Sequence, residues 1–204
     1  PTKPPKVESV TAATQVQPTR SQRVLLDVTD LVEFLQRQES VSGVQRVVAE
    51  TTPLLVAEPN HHLVVLDRGR GEFVQLTSEE ERILITEGTR PVSKITDKAF
   101  IAQQATATLN RAKTAESVVI RTGDTLVFLG ALWINDSLML AARDAHAQGA
   151  KVVDLLYDLT PVLETGHTAG VNKLFDRYLT LIAQIAARVP AISQSSRRDF
   201  EVWC

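Results

Sequence analysis

Polar side chains that could bind a small molecule follow several apolar segments of the sequence. They are Asp30 after VLLDV, Trp133 and Asn135 after TLVFLG, Tyr157 and Asp158 after KVVDLLY, and Ser193 after the last apolar segment. Thr29, Asp67, Arg68 and Gln194 occupy similar positions. In open parallel sheets, ligands bind at the carboxyl ends of the strands, so these side chains could line one cleft. The alternative is that Asp30 and Asp158 serve only as turn and capping residues.

A second candidate binding feature is the segment Ser42-Gly43-Val44-Gln45-Arg46, which opens a helical pattern. Ser42 is a candidate N-cap, and Gly43 would let another group approach the free backbone N–H groups closely. The positive end of a helix attracts phosphate. An ordinary capped helix that binds nothing explains the same residues equally well. Neither GxxxxGK[ST] nor GxGxxG occurs in the chain.

The elements that must position these residues alternate between strand and helix patterns from Val24 onward. The predicted strands are Val24–Val28, His61–Asp67, Glu72–Leu76, Thr125–Gly130, Lys151–Tyr157 and Val189–Ser193. This alternation predicts an α/β, Rossmann-like fold with a mostly parallel sheet and helices on both faces.

The helix boundaries are predicted from caps and breakers. The chain from Thr29 to Val41 is expected to be a polar-rich connection with room for a short helix, and Pro53 is expected to end or kink the next helix near Thr52. A long helix is predicted over Val171–Arg188 from its apolar spacing. The predicted caps are Ser78, then Asn135 or Asp136, and then Ser195 or Ser196 for the last helix.

Composition excludes several classes of protein. The 204 residues are 44% hydrophobic and 23% charged, with a net charge of −2, so nothing indicates a nucleic-acid partner. Cys204 is the single cysteine, which excludes a disulfide framework and a thiolate zinc cluster. His61 and His62 are neighbours on a predicted strand and would point to opposite faces, so no metal site is expected there.

Targeting signals are also lacking in the sequence. No segment reaches the roughly 18 apolar residues of a membrane span, and residues 1–22 lack the apolar core of a signal peptide. A cytoplasmic location is therefore expected. Residues 1–22 are rich in Pro, Thr, Ser and Gln and are predicted to be a flexible tail, with one folded domain over 23–204. A first residue of Pro suggests a piece of a longer protein.

A family resemblance rests on six segments taken in order. LLDVTDL, SGVQRVVAE, VFLGALW, KVVDLLYDLTPVL, LFDRYL and ISQSSRRDF together resemble the N-terminal half of a GT-B glycosyltransferase. The resemblance is closest to the large retaining family usually called family four, and it covers 23–204. No single motif decides it, but the SGVQRV helix start, the YDLTP strand exit and the IS-x-S-x-R-x-D ending are moderately specific in combination.

The resemblance implies two Rossmann-like domains that face each other across a cleft. The N-terminal domain would receive a glycan or lipid-linked acceptor, and the C-terminal domain would hold the nucleotide-sugar donor through a Glu-x7-Glu motif. Ser42, Gly43 and Val44 would approach the donor diphosphate. Asp158 matches the acid of a catalytic His-Asp pair, and Tyr157 replaces the histidine.

Other expectations follow from the same resemblance. Arg46 would lie near the anionic cleft, although pairing with a surface acid is the simpler explanation. No cofactor is expected. The C-terminal donor domain is absent from this sequence, so the chain alone is expected to be inactive. A role in cell-surface polysaccharide synthesis would place it at the inner face of the membrane, with peripheral membrane contact if the acceptor is lipid-linked.

Two alternatives to half of an enzyme remain open. One is a glycan- or partner-binding module that kept the fold and lost the chemistry. The other is one subunit of a split transferase, which would expose an apolar face to its partner chain.

Overall fold

The structure, a computed structural model, describes residues 22–37, 43–87, 97–134, 136–163 and 168–204. Ser42 and Asn135, two of the predicted binding residues, lie outside the described residues. The chain has an α/β, Rossmann-like fold, as predicted, with one six-stranded sheet in the order β3-β2-β1-β4-β5-β6.

All neighbouring strands are parallel except β2 and β3, which form an antiparallel hairpin. The strands are β1 Val24–Asp27, β2 His61–Asp67, β3 Glu72–Gln75, β4 Thr125–Phe128, β5 Lys151–Asp154 and β6 Ala186–Arg188. The central strands read as apolar runs because helices cover both faces of the sheet.

The helices supply the crossovers that parallel strands require. They are α1 Thr29–Gln36, α2 Gly43–Val56, α3 Ser78–Glu80, α4 Lys98–Ala112, α5 Asp136–Ala147, α6 Thr160–Leu163, α7 Ala169–Ile185 and α8 Gln194–Trp203. A π-helical segment, Glu81–Glu87, continues α3, and a 3-10 turn, Leu132–Ile134, follows β4.

The core has one layer on each face of the sheet. On one face, Leu25, Leu126 and Val152 pack with residues of α5 and α7. On the other face, Leu26 and Leu63 pack with residues of α1, α2 and α4. Alternate residues of one strand therefore serve opposite layers, as the two-residue period of a strand requires.

The sheet has a topological switch point between β1 and β4. From β1 the chain passes to β2 on one side, and after β3 and α4 it crosses to β4 on the other side of β1. The two connections leave in opposite directions, and in open α/β sheets this arrangement forms a crevice at the carboxyl ends of the two strands. Ligands bind in this place in folds of this kind.

The connections of the first half were predicted in part. The connection after β1 contains the short helix that the sequence allowed, since α1 begins at Thr29, and its Thr29 and Asp30 are buried. Helix α2 does not end near Thr52, one of the two outcomes expected there, but continues through Pro53 to Val56. Packing of Val48 and Ala49 in the core offsets the missing hydrogen bond of Pro53, which is exposed.

The second half shows a similar shift at β6. The predicted helix Val171–Arg188 stops at Ile185, and the chain then pairs with β5 as β6. The predicted strand Val189–Ser193 keeps only an isolated bridge between Leu156 and Ala191. Apolar spacing could not separate the end of the helix from a short edge strand, because the open edge of β5 decides the pairing.

Two helices are capped by a residue close to the predicted one, not by the predicted residue itself. Thr77, not Ser78, caps α3, and it forms a capping box with Glu80. Ser193, not Ser195 or Ser196, caps α8 by accepting from the Ser196 backbone N–H at 3.0 Å. None of the described helices combines the length and apolar content needed to cross a membrane.

Replacing Pro53 by Ala should stabilise the domain. Pro53 lies inside α2 and is exposed, so alanine restores a helical N–H without disturbing the core. We expect the free energy of unfolding to rise by about 1–2 kcal/mol in a urea titration followed by circular dichroism. Pro59→Ala, in the turn before β2, is the control and should be slightly destabilising, since proline there restricts only the unfolded chain. A loss of stability in Pro53→Ala would contradict this account.

Candidate functional site

The crevice between β1 and β4 is built around Asp30. This residue lies in the first turn of α1 and is 3% exposed. Its Oδ2 accepts hydrogen bonds from Gln45 Nε2 at 2.9 Å and from the Ala131 backbone N–H at 3.3 Å. We call Asp30, Gln45, Ala131 and Tyr157 the switch-point site. The Asp30 carboxylate joins the exits of β1 and β4 to the first turn of α2.

Glycine at position 130 permits this close approach. A Cβ atom at Gly130 would lie 3.0 Å from Asp30 Cβ and 3.2 Å from Asp30 Oδ2. Any other residue there would push the β4 exit away from α1. The glycine that ends TLVFLG is therefore part of the site, although its position in the sequence indicated only the end of a strand.

Tyr157 closes the site from the side of β5. Its hydroxyl donates to Leu129 O at 2.6 Å, and Val44 O lies 3.3 Å away. Burial, followed by the nearby Asp30 and Asp154 carboxylates, raises the pKa of Tyr157 well above its ordinary value. The hydroxyl thus stays protonated and tethers the start of α2 to the exit of β4, so the geometry favours positioning over proton transfer for Tyr157.

Trp133 lies beside Tyr157 in an aromatic cluster under the rim of the crevice. Its ring centroid is 6.0 Å from that of Tyr157 and 5.5 Å from those of Phe175 and Tyr178. The indole is only partly exposed. Trp133 therefore anchors the loop after β4 to α7 and can offer only part of its surface to a ligand.

The start of α8 is fastened to the same region. Ser196 Oγ donates to Tyr157 O at 2.6 Å, and Ser193 Oγ lies 2.9 Å from Ser196 Oγ. Ser193 is exposed and caps α8. Its hydroxyl has a structural partner, so binding by Ser193 would compete with the cap.

The start of α2 stands open at the rim. Gly43 is exposed and has φ +55°, and apart from its chain neighbours no atom of the described residues lies within 4 Å of where its Cβ would be. Val44 is half-buried, with its carbonyl turned toward Tyr157. The first N–H groups of this 14-residue helix have no partner within the helix itself, as at any helix start.

Asp158 and Arg46 each have a nearby partner in the chain, which is the alternative to ligand binding that the sequence analysis kept open. Asp158 is exposed, and its Oδ1 accepts from the Thr160 backbone N–H at 3.1 Å, which fixes the turn into α6. Arg46 is exposed and pairs with Glu50 one helical turn away, at 2.8 Å. This surface pair explains Arg46 without a ligand, whereas the second oxygen of Asp158 has no partner among the described residues.

Two buried carboxylates flank the crevice, and the sequence analysis did not single them out. Asp27 and Asp154 both pair in register with Phe128, from either side, and both are fully buried. Strand spacing places them roughly 10 Å apart on the same face. Each is the last residue of an apolar strand, VLLD or KVVD, and this shared ending was the signal that could have identified them.

The surroundings of these acids differ in detail. Thr29 donates to Asp27 Oδ1 from its hydroxyl at 2.5 Å and its backbone N–H at 3.3 Å. Tyr178 donates to Asp154 Oδ2 at 2.6 Å, and Asp154 Oδ1 has no hydrogen-bond partner within the described part of the chain. Burial raises the pKa of each carboxyl to about 7. A neutral carboxyl can leave one oxygen unpaired at lower cost than a carboxylate can.

The arrangement is suited to binding rather than to bond cleavage by itself. The switch-point site offers fixed acceptors and backbone donors at its rim, but its own hydroxyl and amide are already engaged. Within the described residues, no three His, Cys, Asp or Glu side chains form a group that could hold a metal ion. Comparison of the chain with protein-family models, curated proteins and solved structures gave no match.

Replacing Asp154 by Asn should change the pH dependence of stability. The native pKa of about 7 lies above the ordinary 3.8, so the protonated native form is favoured at low pH and this stability is lost as the pH rises through 7. Asn does not titrate. Relative to wild type, Asp154→Asn should therefore gain about 2–3 kcal/mol between pH 5 and pH 8 in urea unfolding.

The control for this experiment is Asp144→Asn, which changes an exposed carboxylate on α5. It should show a nearly constant difference from wild type across the same pH range, because exposed charges are screened by solvent. A pH-independent difference for Asp154→Asn as well would mean that Asp154 is ionised in the native protein throughout.

Proposed function

We propose that this chain is the acceptor-side domain of a glycosyltransferase that uses a nucleotide-sugar donor. A second Rossmann-like domain would hold the donor, and this domain would present a glycan or lipid-linked acceptor across the crevice. The transferred sugar would join cell-surface polysaccharide at the cytoplasmic face of the membrane. The order of segments such as SGVQRV and YDLTP, and the Rossmann-like fold, are what the proposal starts from.

The observation that carries the proposal is the position of the α2 start over the switch-point site. Gly43 leaves open space at the first turn of α2, while Gln45 in the same turn is fixed by Asp30. A phosphate can approach such N–H groups, and the positive end of the helix dipole favours it. The open glycine thus supports contact with a donor diphosphate, as the resemblance implies for Ser42, Gly43 and Val44.

Exposed aliphatic side chains at the same edge support a facing second body. Ile134 after β4, Leu163 after β5 and Ile192 after β6 are 51%, 57% and 52% exposed. All three follow the carboxyl ends of neighbouring strands. A donor domain that packs against this edge would remove these side chains from water, which is favourable.

The roles within this domain follow from its contacts. Asp158 keeps an exposed carboxylate at the exit from β5 and is the candidate to meet the acceptor or the transferred sugar. Tyr157 would hold the α2 start in place rather than exchange protons. Stabilisation of the leaving diphosphate requires positive groups or N–H donors close to it, most of which would come from the second domain.

The exposed edge also fits the split-subunit alternative, in which the facing body is a separate chain. Co-purification with a partner chain would indicate that arrangement. A binding module without chemistry would instead bind saccharide and transfer nothing, whether or not a second domain is supplied.

The decisive experiment reads the coding frame beyond Cys204 and expresses the protein that it encodes. We expect a second Rossmann-like domain with a Glu-x7-Glu motif, and release of nucleoside diphosphate from a nucleotide sugar when an acceptor is added. The 204-residue chain alone should show no such release. Turnover by the chain alone would refute the half-enzyme reading, and a complete protein without turnover would favour the binding module.

A Gly43→Val variant of the complete enzyme tests the α2 start. The valine side chain would occupy the open space before the helix, so we expect at least a hundredfold loss of kcat/KM, or about 3 kcal/mol of transition-state stabilisation. The positive φ should reduce stability by only about 1–2 kcal/mol.

Gly71→Val is the matched control for this variant. Gly71 has φ +70° and equally open surroundings, but it lies in the β2–β3 turn. It should lose similar stability and keep its activity. Full activity in Gly43→Val would remove the α2 start from the mechanism.

A further inference from the structure

A separate cavity opens at the carboxyl end of β2, next to the switch-point site. Its volume is about 510 Å³, within the range typical of small-molecule sites. The C-terminal half of α1, the turn after β2 and the last turn of α4 form its walls. We call this cavity, lined by Glu33, Asp67, Arg68, Arg70, Asn110 and Lys113, the β2 pocket.

One hydrogen bond links the β2 pocket to the neighbouring crevice. The Leu66 backbone N–H donates to Thr29 Oγ1 at 2.8 Å, and Thr29 precedes Asp30 in α1. Leu66 and Leu109 supply an apolar part of the lining. The pocket therefore has a fixed backbone on one side and an apolar surface beneath its polar rim.

The carboxylates of the pocket are largely occupied. Asp67 Oδ1 accepts from the Gly69 N–H, and Asp67 Oδ2 accepts from Arg70 Nε at 2.6 Å. Arg70 also donates to Ala112 O at the end of α4. The side chains of Asp67 and Arg70 are thus committed to closing the turn after β2 against α4. Neither has its main hydrogen-bonding capacity left for a ligand.

The other two cationic side chains of the pocket, Arg68 and Lys113, have N–H donors left for a ligand. The Arg68 guanidinium is 51% exposed and pairs with Glu33 through one nitrogen, Nη2. Lys113 Nζ donates to Asn110 Oδ1 at 2.8 Å and pairs with no carboxylate in the described part of the chain. A guanidinium has five N–H donors and an ammonium has three, so several remain for a ligand. The free donors carry positive charge, which favours a negatively charged ligand.

Glu33 and Asn110, at the rim of the pocket, can form hydrogen bonds with the hydroxyl groups of a ligand. Glu33 is 16% exposed, and only its Oε2 is engaged by Arg68, so Oε1 can accept a hydrogen bond. The Asn110 amide can still donate while its oxygen accepts from Lys113. Mixed donors and acceptors beside an apolar surface are suited to a ring that carries hydroxyl groups.

We propose that the β2 pocket binds a small anion that carries hydroxyl groups and has the size of a monosaccharide, such as a sugar phosphate or a uronic acid. Arg68 and Lys113 hold the anionic group, while Glu33 and Asn110 contact hydroxyls. The ligand lies one strand away from the switch-point site. The proposal concerns binding by this domain alone and does not depend on the transferase function.

Nuclear magnetic resonance titration of the 204-residue chain tests the proposal, with glucose 6-phosphate, glucuronate, glucose and inorganic phosphate as separate ligands. We expect saturable shifts in the backbone signals of residues 66–70 and 109–113 with glucose 6-phosphate, glucuronate or both. Glucose should bind at least about tenfold more weakly, because it lacks the charged group. Added salt should weaken binding of the anions.

The Lys113→Gln variant distinguishes binding in the β2 pocket from binding at other basic surfaces. Lys113 is exposed, so the fold should persist while affinity for the anionic sugars falls about tenfold. Lys151→Gln is the matched control, since Lys151 is exposed at the opposite, amino-terminal end of β5, and it should leave affinity unchanged.

Five results would overturn the proposal, four that concern affinity and one that concerns the position of the shifts. The first is the absence of saturable binding up to about 10 mM, the weak end of specific recognition. The second is equal affinity for glucose and both anionic sugars, and the third is unchanged affinity in Lys113→Gln. The fourth is a bare anion site, in which glucuronate does not bind and inorganic phosphate binds as tightly as glucose 6-phosphate. Shifts confined to the start of α2 would place the ligand elsewhere and refute the pocket as its site.

Discussion

The close approach of Asp30 to the backbone at Gly130 and Ala131 is the constraint on which the central crevice depends. It joins the exits of the two strands that meet at the switch point, with Asp30 Oδ2 only 3.3 Å from the Ala131 nitrogen. The absence of a Cβ at Gly130 makes room for the carboxylate. Through Gln45 the same oxygen sets the first turn of α2. One acceptor atom, Asp30 Oδ2, therefore holds the exit of β4 and the first turn of α2 against the start of α1.

The sequence predicted the fold well because burial controls most of it. Apolar runs such as HLVVLD are typical of strands covered on both faces, and their alternation with helices predicts crossovers. The shift at β6 could not be predicted, because it depends on the free edge of β5 rather than on local spacing. Helix α2 continues past Pro53 for a similar reason, since core packing outweighs a local preference.

The candidate site was only partly predictable. Asp30, Trp133 and Tyr157 were named because they follow strands, and the structure places them around one crevice. Gln45 was named only as part of the α2 start, with no role of its own, and Asp154 was not named, because their importance lies in contacts with residues 15 and 24 positions away. By contrast, the pairing of Arg46 with Glu50 follows directly from helical spacing.

The buried carboxyl groups of Asp27 and Asp154, beside Phe128, couple the folding of this chain to proton binding. Because Asp27 and Asp154 have native pKa values of about 7, the folded domain near neutrality holds about one proton more than these groups bind when unfolded. Unfolding therefore releases protons to the buffer. The heat measured by calorimetry will then include the ionisation heat of that buffer, so unfolding enthalpies measured in phosphate and in Tris will differ although the structure is the same.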